Sequence, residues 1–286
     1  MCTKQVVSVT RPTPCAKRVV LNSNPDAFMK TLGLLMHAAA CSTLSQYSRC
    51  VPDAASLFWK HELGCSSVDW AERVAGVLPR SAPVIMVNVG ANKGYKVPEF
   101  LGLWSQRRVA DHALGWRKHL LAYANAINSG SLKRFSCGNC KDCRAALPAP
   151  HNRSGARMHL LEIAPVNQAL LRYVLAAEHL EDVVTLHALG ASNVTQRVPI
   201  VKTLPAGEER QGVLTGFRAR RFALANASLD VEAVALDELF GRLQLGTIYQ
   251  VSIDTEGFDS LVLEGMRRTI TRRQVALLGF EASQMG

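Results

Sequence analysis

Ahead of Tyr95 the chain reads Val84-Ile-Met-Val-Asn-Val-Gly90-Ala-Asn-Lys-Gly94, and no other stretch limits the possible folds as much. The valine- and isoleucine-rich run Val84–Val89 predicts a short buried strand. Gly90 ends that run and Gly94 lies within one turn of it, so the backbone there can take positive φ and approach a neighbour closely. A strand feeding a glycine-rich turn is where open α/β sheets hold nucleotides, beyond the carboxyl ends of their strands. Two glycines alone fit a ligand-free strand-to-helix turn equally well. Residues farther along the chain decide between the two.

Met158–Ile163 is a second apolar run, with Glu162 near its end, where doubly wound nucleotide folds place an acid for ribose hydroxyls. Further on, Tyr249–Ile253 predicts a strand, and Asp254, Glu256 and Gly257 come directly after it. Val183–His187 and Val275–Phe280 complete a set of five core strands, and Val231–Leu236 looks like an added one whose Asp237 caps the next helix. Helical spacing of Leu170, Leu171, Val174 and Leu175 predicts a helix over Val166–His179, and Leu261–Ile270 predicts another. Strands alternating with helices argue for a mostly parallel sheet with helices on both faces.

Taken in order, Val87–Gly94, the Glu162 strand, Ala235–Leu239, Ile253–Asp259, Leu263–Met266 and Val275–Glu281 resemble the FkbM family of S-adenosylmethionine-dependent methyltransferases. The resemblance covers roughly residues 82–103 and 157–283. It implies a Rossmann-like class I methyltransferase fold and methyl transfer from S-adenosylmethionine to an oxygen of a small molecule, sugar or glycan. On this reading Asn88, Gly90, Asn92, Gly94 and Glu162 bind the cofactor. Asp254 and Glu256 stand where a base or a substrate contact is needed; a structural role in their loop fits equally well, and a divalent cation shared with Glu281 ranks lower. Relatives often carry an acid at the position of Asn88 and a lysine at that of Ser252, so the chain departs from the pattern at both. The spacing Gly90–Gly94 is not the G-x-G-x-x-G that seats a pyrophosphate, which argues against a nicotinamide enzyme.

Three segments lie outside that pattern. Residues 1–25 are basic, with no acid before Asp26, and read as a disordered leader or an organelle transit peptide. Residues 26–80 read as a helical amino-terminal segment, with the methyltransferase domain after it at 81–286. An insertion at about 104–150 lengthens the first crossover well beyond a βαβ unit, opening with a helical run from Gln106 to Ile127. It ends in Cys137, Cys140 and Cys143, whose C-x2-C-x2-C spacing suits zinc if Cys65 or His151 completes the site, and suits disulfides in an oxidising compartment. Leu147 stands where a ferredoxin-like cluster needs a fourth cysteine.

The chain stops five residues after Glu281, where the family continues with antiparallel strands. The expectation is a fragment or truncated gene model with strand Val275–Phe280 as an unpaired edge. A non-catalytic binding or assembly protein on a decayed methyltransferase fold is the rival reading, opposed by the retained Glu162, Asp254 and Glu256. The net charge of +10 comes from scattered arginine pairs, and aromatics make up only 6% of the residues, so no nucleic-acid surface is expected. No apolar run reaches the ~18 residues of a membrane span. A soluble protein of the cytoplasm or an organelle is therefore expected, rather than a secreted one.

Overall fold

In the computed structural model, the valine-rich run lies inside a six-stranded sheet. The structure describes residues 3–8, 83–105, 112–127, 151, 153, 155–202, 205–207 and 228–282. In chain order the strands are β1 (Thr3–Ser8), β2 (Ile85–Val89), β3 (Arg157–Leu161), β4 (Val184–His187), β5 (Gly190–Ser192), β6 (Gln196–Val201), β7 (Ser228–Ala235), β8 (Ile248–Ile253) and β9 (Val275–Ala282). The helices are α1 (Lys96–Trp104), α2 (His112–Ala126), α3 (Pro165–Ala177), α4 (Leu236–Arg242), α5 (Asp259–Gly265) and α6 (Arg267–Thr271).

The large sheet runs β1-β9-β8-β2-β3-β4. Five strands are parallel and β1 alone is antiparallel. From β2 the chain builds outward through β3 and β4, then crosses back to add β8 on the other side of β2. The order therefore reverses between β2 and β8, and such a reversal opens a crevice at the carboxyl ends of the strands. The expected Rossmann-like arrangement is present.

Burial explains why these segments form these elements. On β2 every residue from Met86 to Val89 is buried, as a central strand covered on both faces requires. Met86 and Met158 pack with Val97, Phe100, Leu101, Leu103 and Trp104 of α1, Trp116, Leu120 and Ala124 of α2, and Leu170, Leu171 and Val174 of α3. Proline starts α3 at its first position, where no amide donor is needed. The insertion helix α2 thus contributes to the main core, and Nε2 of its His119 lies 2.8 Å from Glu178 Oε1, at the end of α3.

Several expectations need correction. Residues 3–8, read as part of a disordered leader, form β1 and pair with residues 277–282 of β9. The β9 edge, expected to stand unpaired, is consequently covered. Asp237 does not cap its own helix. Its carboxylate accepts from the backbone N–H groups of Arg268 and Thr269, both at 2.8 Å, and so caps α6. The predicted helix Leu261–Ile270 is two, broken at Met266, whose φ of −115° leaves the helical range. β5 and β6 were not anticipated; with β7 they form a separate three-stranded sheet. Gly265 lets α5 rest on it, since a Cβ there would lie 2.0 Å from the Ser192 carbonyl oxygen. The predicted helices of 26–80 and the cysteines Cys65, Cys137, Cys140 and Cys143 lie outside the described residues. Among the described residues no helix is long and apolar enough to cross a membrane.

Candidate active site at the carboxyl edge of the sheet

The turn after β2 is held from several sides. The N–H groups of Gly90 and Ala91 both donate to the Leu161 carbonyl at 3.0 Å, tying the turn to the end of β3. Gly90 has φ of +78°, and a Cβ on it would lie 2.0 Å from the Asp254 carbonyl oxygen. Its freedom is thus used to let the turn meet the end of β8, where the Asp254 N–H donates to Val89 at 3.0 Å. Gly94, at φ +73°, is hemmed in by Leu171 of α3 and Trp116 of α2. Both glycines are demanded by packing within the protein.

Glu162 lies one residue past β3 and is 4% exposed. Its Oε2 accepts from the Asn92 N–H at 2.6 Å and its Oε1 from the Ala164 N–H at 2.8 Å. One carboxylate therefore joins the β2 turn to the start of α3. Burial pushes the Glu162 carboxyl above the usual carboxylate range, opposed by the hydrogen bonds that Ala164, Asn92, Asn167 and Ile163 direct at it. Gln168 supports it from behind, donating from Nε2 to the Glu162 carbonyl at 2.9 Å. Asn92 adopts φ of +48°, a left-handed conformation that asparagine tolerates well.

Asn88 is buried on β2, in register with Leu160 and with Ser252 of β8.

The loop after β8 is built differently. Asp254 and Thr255 are half-buried, while Glu256 and Gly257 are exposed. Glu256 takes φ of +54° and Gly257 of +100°. Asp259, itself buried, holds this loop by accepting from the Thr255 N–H at 2.8 Å and from the Thr255 hydroxyl. Of the acids in this stretch, Asp259 has the clear structural duty. The structure brings Asn92 and Glu162 into contact, sets Gly90 against Asp254, and leaves Glu256 outermost. Glu281 belongs to β9.

Sequence reasoning missed Trp116, Asn167 and Gln168, which touch the turn or Glu162 only through the fold. It took His187 as structural but did not foresee its partner. His159 Nδ1 lies 3.0 Å from His187 Nε2, so the two rings share one proton between them. Burial, then the neighbouring His187, lowers the His159 pKa to about 4; burial, then Arg242, lowers that of His187.

Comparison with known proteins places this arrangement. The methyltransferase FkbM domain model matches residues 88–285, and the chain belongs to that family. A 2.20 Å crystal structure of methyltransferase FkbM from Methylobacillus flagellatus KT is similar over 69% of this chain and 32% of that one, at 17% identity and a TM-score of 0.33. The chain thus spans about a third of that protein's length. No curated protein sequence matches.

Proposed function

We propose that the chain transfers a methyl group from S-adenosylmethionine to a hydroxyl oxygen of a small molecule, sugar or glycan. One observation carries the reading: the β2 turn, Glu162 and the Asp254 loop share the crevice where the strand order reverses. The residues suit the cofactor that the family implies. Glu162 is an acid at the carboxyl end of the second core strand, where doubly wound folds meet ribose hydroxyls, and its bonds to the Asn92 and Ala164 N–H groups fix it there. Asn88 presents a buried amide and Asn92 a second one on the turn, both suited to the amino or carboxylate group of the methionine portion.

When bound, the cofactor supplies an electrophilic methyl on a sulfonium. The chain's own part is to align an acceptor oxygen with it and to take the hydroxyl proton. In-line placement alone supplies a large share of such a rate. On this reading Asp254, half-buried beside the turn, receives that proton and exposed Glu256 contacts the acceptor. Both carboxylates stand on the loop that Asp259 holds.

Calorimetric titration with S-adenosylhomocysteine tests this directly. Wild type is expected to bind in the micromolar range, about −8 kcal/mol, and Glu162→Ala to lose that binding. A folded wild-type chain that does not bind would overturn the reading and favour a binding protein built on a decayed methyltransferase fold.

A further inference from the structure

We propose that Trp116 is a positioning residue for the methionine end of the cofactor: its indole N–H holds the Lys93 carbonyl and thereby sets the peptide plane between Lys93 and Gly94. The inference deepens the methyltransferase reading and rests on it.

The turn's other backbone bonds tie it to the end of β3 and to itself. Leu161 receives the Gly90 and Ala91 N–H groups, Glu162 receives that of Asn92, and Ala91 receives that of Gly94 at 2.8 Å. The Gly94 carbonyl in turn accepts from the Val97 N–H at 2.9 Å. The Lys93 carbonyl is served instead from the insertion. Trp116 Nε1 donates to it at 2.8 Å in a buried contact, from a helix of the insertion.

Two features make that contact more than packing. A peptide plane that precedes glycine turns at low cost, because glycine accepts φ of either sign. A buried carbonyl without a donor turns toward any donor it can find. Without the indole, the Lys93 end of this plane loses a buried donor while the Gly94 N–H stays on Ala91, so the plane tilts about that remaining bond and the Asn92 amide shifts with it. The ring also lies close against the turn: its Cζ2 is 2.9 Å from where a Cβ on Gly94 would be. The indole is completely buried, and Leu120 and Ala124 anchor its helix in the main core. The insertion thus reaches back to the turn it interrupts.

Trp116→Phe keeps an aromatic ring and removes the N–H. Calorimetry on the full chain would compare S-adenosylhomocysteine with 5′-methylthioadenosine, which lacks the amino-acid portion. The variant is expected to lose about tenfold in affinity for S-adenosylhomocysteine, the scale of one hydrogen bond, and to keep its affinity for 5′-methylthioadenosine. Equal losses for both ligands, or no loss, would overturn the proposal. If the variant does not fold, the wild type answers through the solvent exchange of its tryptophan indole protons in ¹⁵N spectra. S-adenosylhomocysteine must slow one buried indole proton more than 5′-methylthioadenosine does; equal slowing overturns the proposal. A wild type that binds neither ligand sinks the methyltransferase reading instead, whereas binding with equal losses sinks only the role of Trp116.

Discussion

Two loops leave the carboxyl edge of the sheet carrying acids, and they are built in opposite ways. After β3, Glu162 is buried and both its oxygens are taken by backbone donors. After β8, Glu256 is exposed on a left-handed residue, and the loop relies on Asp259 four positions beyond Thr255. The first acid is part of the frame. Holding an anion there costs desolvation, and that cost is offset only because the donors are already fixed in place. The second stands on the solvent side of its loop. The difference teaches that similar carboxylates at one sheet edge are held differently, and under the proposed function the buried one would face the cofactor and the exposed one the acceptor.

The largest test strikes the seam between the loops. Gly90→Ala adds a Cβ 2.0 Å from the Asp254 carbonyl oxygen at φ of +78°. Strain and overpacking together are expected to cost about 3 kcal/mol, read as a drop in Tm on the order of 10 °C. A smaller loss would mean that the two loops can part without harm. Next, Asp259→Ala leaves the Thr255 N–H and hydroxyl without their acceptor, at about 1–3 kcal/mol in urea unfolding. Glu256→Ala, its control, should stay within about 0.5 kcal/mol. Equal effects from the two would erase the contrast within the β8 loop.

The smallest effect sharpens the picture on the β3 side. The folded-state pKa of His159, about 4, lies below its ordinary value of 6.5. The folded chain therefore refuses a proton that the unfolded chain accepts, and stability present above pH 6.5 is lost as pH falls toward about 4. The slope is bounded by about 1.4 kcal/mol per pH unit and reduced by the ring's partial exposure. His159→Gln should flatten it in melts between about pH 7 and 4.5. An unchanged slope would show that the histidine pair is not kept neutral by its surroundings.

Much of the frame was legible because it is written locally. The apolar runs of β2, β3, β8 and β9 announce themselves, and Glu162 stands out as an acid at the end of one of them. The parts that escaped depend on what folding brings together. Asp237 sits in the first turn of α4, and only the approach of α6 shows whose amides it satisfies. Trp116 reads as one more apolar residue of a helix until Lys93 arrives beside it. β5 and β6 are too short or too exposed to carry a clear alternation. The break at Met266 falls inside a pattern that remains apolar on both sides, so periodicity runs straight through it.

One pairing has a bearing on how the molecule comes to be made. β1 leaves the ribosome long before β9 does, yet β9 is the strand it pairs with. Their register joins Thr3 to Ala282, so everything between the two must be closed into a loop before that edge of the sheet exists. Such contacts are the slow ones, because the entropy of closure is spent before any ladder bond forms. The remaining strands can assemble in order as synthesis proceeds, while β1 waits for its partner. Until then no strand among the described residues covers the β9 side of the sheet, and the speed of this step sets how long a nascent molecule is open to a wrong partner.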